Sequence, residues 1–79
     1  MDYDTDKVDE AVLALLYLNL HEMNEHGARA WKGFDWDAMD RLHKKGIIGY
    51  PKSKAKSVVL EPDGVAAAKR AFEKLFRGS

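Results

Sequence analysis

The sequence predicts a single small α+β domain made of three helices, one short strand and a β-hairpin. Its 79 residues allow one hydrophobic core. Apolar residues recur at helical spacing in three segments, and two short β-prone runs flank a polar segment that begins with proline. We therefore expect residues 1–79 to form one domain with the order helix, strand, helix, strand, strand, helix.

The first helix is expected to begin near Thr5 or Asp6, where a side chain can cap exposed N–H groups, and to end before Gly27. Residues 11–18 are apolar on every side of this helix, whereas a surface helix usually has one apolar stripe. Because so small a monomer has little room to bury such a helix, we predict a homodimer. The expected contacts from this helix are Val12, Leu13, Leu16, Tyr17 and Leu20.

Two further elements are expected in the middle of the chain. Small or apolar residues alternate with basic ones over residues 28–32, which predicts a short strand. Asp35 is the expected N-cap of the second helix, which ends at Gly46 after two lysines. Aromatic residues cluster around the turn between these elements. We expect one or two of these rings to be buried and one tryptophan to be partly exposed to a partner: Trp31, Phe34 and Trp36.

A basic hairpin is the strongest functional candidate in the sequence. Residues 47–50 and 57–60 are β-prone, and the lysines at alternate positions between them would project to one side. A third helix should follow from Pro62. Cations at the end of the second helix lie near the hairpin, so the candidate nucleic-acid contacts are Lys52, Lys54, Lys56, Arg41, Lys44 and Lys45. The alternative is that these lysines serve solubility and protect strand edges.

Acidic residues oppose the nucleic-acid hypothesis. Asp35, Asp37 and Asp40 occupy the first turns of the second helix, where their charge would repel phosphate. The net charge of the chain is zero, with an acidic N-terminal segment and a basic middle. Nucleic-acid binding is therefore our second hypothesis. The first is a non-enzymatic interaction module that self-associates and whose protein partner the sequence does not identify.

Two segments carry a resemblance to a known class of regulators. Residues 41–48 contain the end of a predicted helix, followed by a Gly-Ile pair. Residues 56–64 contain a β-prone run, followed by the predicted start of a helix that includes a glycine. Together they resemble winged-helix regulators of the multiple-antibiotic-resistance repressor type. The resemblance implies a winged-helix-like domain that lacks one helix of the usual helix-turn-helix motif, and it implies DNA binding only by analogy of fold.

A second resemblance covers nearly the whole chain. Residues 4–7, 28–37 and 54–60 are similar to a family of small bacterial proteins of unknown function. This resemblance implies fold and bacterial origin and assigns no functional residue. Relative to that family, the chain carries additional residues near positions 22–25.

The residues support no active site of a known kind. There is no cysteine to form a disulfide or a thiolate metal site. His21 and His26 are five positions apart, whereas a zinc-binding helix needs two histidines four apart. His43 is expected to be partly buried or to cap its helix. We therefore expect no catalytic, cofactor-binding or metal-binding residue and no enzymatic activity. Because no export signal or membrane-spanning run is present, we expect a cytoplasmic location and no membrane partner.

Overall fold

The computed structural model of the chain describes residues 3–52 and 55–77. Its helices are α1 (Thr5–Leu18), α2 (Trp36–Lys44) and α3 (Pro62–Phe76), and its strands are β1 (Leu20–Asn24), β2 (Gly27–Trp31) and β3 (Ser57–Leu60). The strands form one antiparallel sheet in the order β1-β2-β3. The predicted α+β class with three helices is confirmed.

The hairpin lies in a different place from the predicted one, because α1 ends at Leu18 rather than just before Gly27. Asn24 explains why the segment after α1 turns back as a hairpin. Its Oδ1 accepts a hydrogen bond from the His26 N–H at 2.8 Å and closes a tight turn in which Asn24 pairs with Gly27. Gly27 has a φ of +127°, a conformation that side chains rarely allow. These two residues are turn formers, and they join β1 and β2 into the hairpin.

The predicted hairpin between residues 47–50 and 57–60 does not form. Residues 57–60 are β3, which pairs with β2 along its whole length. The run 47–50 follows the other edge of β3 and bonds to it through the Gly49 N–H and the Val59 carbonyl, at 2.7 Å. Residues 47–50 are not assigned as a strand, so the order of elements is helix, strand, strand, helix, strand, helix.

Gly64 explains the course of this run. The carbonyl of Ile47 packs so closely against Gly64 that a Cβ atom at position 64 would clash with it. The run is therefore held against the first turn of α3 as well as against β3.

The helix boundaries agree with the prediction at four of their ends. α1 begins at Thr5, although the capping side chain is Asp4, whose Oδ1 accepts from the Asp6 N–H at 3.0 Å. Asp35 caps α2 through a hydrogen bond from the Ala38 N–H at 3.1 Å. α2 ends before Gly46, which has a φ of +78°, and Pro62 is the first residue of α3.

The helices cover one face of the sheet. α1 and α3 pack against each other, and both contact β2. Alternate residues of β2 and β3 point into this core, and the residues between them point to the opposite face. On that opposite face Trp31 is 54% exposed and Val59 is 41% exposed. The core contains, among others, Val12, Leu13, Leu16, Ala30, Met39, Leu42, Val58, Leu60 and Ala68.

Candidate interaction surfaces

A buried carboxylate connects α1 with α2. The side chain of Asp9 is 2% exposed, and both of its oxygens accept from the Arg41 Nε at 2.9 Å. Arg41 Nη2 lies 2.8 Å from Oδ1, and Lys45 Nζ donates to Oδ2 at 3.2 Å. A buried charge without such partners would be strongly destabilising. Arg41 and Lys45, two predicted nucleic-acid contacts, thus neutralise Asp9.

The pKa of Asp9 reflects this arrangement. Burial by itself raises the pKa of the carboxyl group, but the hydrogen bonds and charges of Arg41 and Lys45 outweigh burial and lower it. The hydrogen bond with Asp9 and the charge of Asp9 in turn raise the pKa of Arg41. Asp9 is therefore ionised in the folded protein at neutral pH, and its charge is part of the contact between α1 and α2.

This lowered pKa predicts how stability depends on pH. The ion pairs of Asp9 stabilise the fold above the unfolded-state pKa, about 4, and this contribution is lost as the pH falls through the lower folded-state value. We expect the free energy of unfolding, measured with urea and circular dichroism, to fall steeply below about pH 4. The Asp9→Asn variant should be less stable at neutral pH and should show a shallower acid decline. An unchanged decline in that variant would contradict the assignment.

Of the other predicted cations, one forms an ion pair and two are exposed to solvent. Lys44 Nζ lies 3.0 Å from Asp40 Oδ2, and this contact lowers the pKa of Asp40. Lys52 and Lys56 are exposed, and neither forms an ion pair with a described residue. Lys54 lies outside the described residues. The structure therefore does not bring the five described residues of this predicted set together into one basic surface.

The uncovered face of the sheet carries an ordered group of side chains. The rings of Trp31 and His21 stack with centroids 4.3 Å apart and an angle of 22° between their planes. His21 Nδ1 lies 3.1 Å from the Asn19 carbonyl oxygen, which fixes the imidazole. Arg29 Nε donates to the Ser57 Oγ at 2.8 Å. We call this group the sheet platform: His21, Arg29, Trp31, Ser57 and Val59.

The aromatic cluster is more exposed than the sequence predicted. Trp36 is 59% exposed, and Trp31 also faces solvent, so neither tryptophan is buried against α1 or α3. Phe34 is partly buried against the core. Small side chains occupy the neighbouring core positions, Ala30 in β2 and Ala38 in α2, and both are fully buried. Because β2 and α2 lie close to the core, their core-facing positions have room only for alanine. The large rings of Trp31 and Trp36 point outward.

A second exposed apolar surface lies on the helices. Leu15 is 37% exposed and Leu18 is 62% exposed on the side of α1 that faces away from the core. On α3, the ring of Phe72 contacts Tyr17 of α1 at a centroid distance of 5.2 Å and Phe76 at 5.8 Å. We use the name helical apolar surface for the exposed apolar residues of α1 and α3 taken together: Leu15, Leu18, Leu75 and Phe76.

The histidines have partners within the fold. His43 is half-buried, as predicted, and its Nδ1 lies 3.2 Å from the Ile48 carbonyl oxygen beyond the end of α2. His21 and His26 lie in β1 and its turn rather than on a helix. Within residues 3–52 and 55–77, no three His, Asp or Glu side chains are grouped as metal ligands would be. In the same ranges, no helix has the length and apolar character needed to cross a bilayer.

These features define a small α+β protein with a helical apolar surface and an uncovered sheet platform. Residues 4–78 match the Domain of unknown function DUF6429, and the chain belongs to this family. It is 51% identical over 76 residues to the uncharacterized protein y4hR of Sinorhizobium fredii, a match that covers 96% of this chain and 97% of that protein. No solved structure matches the chain. The predicted resemblance to a family of uncharacterised small proteins is confirmed, whereas the winged-helix resemblance is not.

Proposed function

We propose that this protein is a non-enzymatic interaction module that forms a homodimer through the helical apolar surface. The observation that carries the proposal is the exposure of Leu15 and Leu18 on the outer side of α1, where a surface helix normally has polar residues. A second copy presents the same side chains. A two-fold contact between the two α1 helices would therefore remove both sets from water at once.

The exposed area of the chain supports self-association. The chain exposes 5476 Å² at a mass of 8.9 kDa. A compact monomer of this mass exposes about 4,800 Å². The excess approaches the roughly 800 Å² that each partner contributes to an interface of standard size. Covering the helical apolar surface in a dimer would remove part of this excess.

The proposed interface differs from the residues that the sequence suggested for it. Val12, Leu13 and Leu16 are buried in the core of the monomer, and Leu20 packs against that core. They stabilise α1 within its own chain. Tyr17 is half-buried beside Phe72 and lies at the border of the proposed interface. The proposed interface is instead centred on Leu15 and Leu18, the leucines of α1 that remain exposed.

The non-enzymatic character of the module is supported by the use of its reactive side chains. Asp9 is neutralised by two cations, His21 is stacked on Trp31, and His43 contacts a backbone carbonyl. Each of these groups has a structural role, so none is poised as a general acid or base. The proposal includes the cytoplasmic location expected from the sequence.

Sedimentation equilibrium tests the proposed homodimer. We expect a mass of twice 8.9 kDa in the micromolar range for the wild-type chain. The double variant Leu15→Lys, Leu18→Lys should sediment as a single chain with an unchanged circular dichroism spectrum, because both side chains are exposed. Met23→Lys is the matched control, since Met23 is 59% exposed on β1 and should leave the dimer intact. A single-chain mass for the wild type, or a dimeric double-lysine variant, would contradict the proposal.

A further inference from the structure

The sheet platform presents one open face of an indole ring. Trp31 is 54% exposed although His21 covers part of it by stacking. Because Trp31 and Arg29 are two positions apart in β2, they project from the same side of the sheet, about 6.6 Å apart along the strand. A ligand with a planar ring next to an anionic group can therefore contact both side chains at once.

Arg29 is oriented for binding an anion. Its Nε is bonded to Ser57 Oγ, and Ser57 is buried, so the guanidinium group is held in place while its two terminal nitrogens stay available. Arg29 forms no ion pair with residues 3–52 or 55–77. A fixed guanidinium group without a carboxylate partner is suited to bidentate contact with phosphate.

Charge is unevenly distributed around the platform. Glu22 in β1 and Glu25 in the following turn lie toward one end of the platform. The opposite end, where Trp31 pairs with Ser57, is flanked along the chain by Lys32 and Lys56. There the Lys32 N–H donates to the Lys56 carbonyl at 3.1 Å, and Lys32 Nζ donates to the Pro51 carbonyl at 2.7 Å. The backbone contact keeps Lys56 next to the end of β2, so a polyanion is attracted to that end and repelled from the end that carries Glu22 and Glu25.

We infer that the sheet platform binds single-stranded nucleic acid, at a site separate from the proposed dimer interface. A base stacks on the open face of Trp31, the adjoining phosphate contacts Arg29, and a neighbouring phosphate lies near Lys56. Single strands offer unstacked bases to an aromatic side chain on an open sheet, whereas a duplex hides the faces of its bases. An acidic peptide would satisfy Arg29 but would leave the indole without a stacking partner.

Fluorescence anisotropy with a short labelled DNA single strand of mixed sequence tests this inference. We expect the wild-type protein to bind in the micromolar range at low salt. Trp31→Ala should weaken binding about 5- to 150-fold, the loss of one base-stacking contact. Trp31→Phe should retain much of the affinity, and Arg29→Ala should reduce the slope of log K against log salt by about 0.7. Trp36→Ala is the control, because Trp36 is similarly exposed but lies on α2.

Four results would overturn the inference. They are no binding at low salt, equal losses for Trp31→Ala and Trp36→Ala, equal affinity for a duplex of the same sequence, and equal competition by polyglutamate. The last result would identify a general site for acidic chains. Circular dichroism of Trp31→Ala confirms that the variant is folded. Sedimentation of the same variant keeps this test separate from the dimer, since its mass should equal that of the wild type.

Discussion

Replacing Arg41 with methionine is expected to destabilise the fold strongly. Methionine keeps much of the length of the arginine side chain but leaves the buried Asp9 carboxylate with Lys45 as its remaining partner. A buried carboxylate that loses its main partner is strongly destabilising, and the loss is a large part of the stability of a small domain. Urea denaturation at neutral pH, followed by circular dichroism, should show a much lower midpoint for Arg41→Met.

Two variants serve as controls for this prediction. Lys44→Met removes a cation from the same helix, but its partner Asp40 is accessible to water, so the midpoint should change little. The double variant Asp9→Asn, Arg41→Met should be more stable than Arg41→Met, because no charge is then left buried without a partner. If Arg41→Met and Lys44→Met have equal effects, Asp9 is not the buried contact described above.

Replacing Gly27 with alanine is expected to have a comparably large effect. Gly27 has a φ of +127°, and a Cβ atom there would clash with the backbone carbonyl of Leu60 in β3. Backbone strain of this kind costs about 1–3 kcal/mol, and the clash adds to it because a carbonyl in a paired strand cannot move aside. We expect Gly27→Ala to lower the free energy of unfolding by about 3 kcal/mol or more.

Gly33→Ala is the matched control for Gly27→Ala. A Cβ atom at position 33 has no atom within 4 Å, so this variant should keep its stability within about 0.5 kcal/mol. Thermal unfolding of both variants in one buffer provides the comparison. Equal stability of Gly27→Ala and Gly33→Ala would contradict the close approach of the hairpin turn to β3.

Local signals in the sequence were sufficient for much of the helical structure. Asp35 and Gly46 determine the two ends of α2 through a side-chain cap and a positive φ, and Pro62 determines the start of α3. These effects act over a few residues, so they can be read without knowledge of the tertiary fold. The strand at residues 28–32 was found from its alternation, and β2 spans Gly27–Trp31.

The predicted hairpin lies in the wrong segment because two local signals in the sequence compete. The apolar run of α1 continues the helical pattern toward His21, while Asn24 and Gly27 form a turn that needs a strand on each side. Pairing with β2 favours the turn. The run 47–50 has β propensity, but its contact with Gly64 of α3 depends on residues distant in sequence.

The candidate surfaces were only partly predictable for the same reason. Trp31 was identified as a partner contact, but its stacking on His21 depends on the register of β1 with β2. Asp9 and Arg41 are separated by 32 positions in the sequence. Their opposite charges alone do not indicate that the two side chains form an ion pair. The apolar side of α1 was expected to contact a second copy, but the residues that stay exposed emerge only once the core is assembled.

Isotope-filtered NOE spectroscopy on a mixture of labelled and unlabelled chains tests the proposed homodimer most directly. The expected result is a set of cross-peaks between chains from the methyl groups of Leu15 and Leu18 to the same leucines or to Phe76 of the other copy. Such cross-peaks should be absent for the double variant Leu15→Lys, Leu18→Lys. A spectrum of the wild-type protein without cross-peaks between chains at these methyl groups, recorded at the concentration used for sedimentation, would contradict the account.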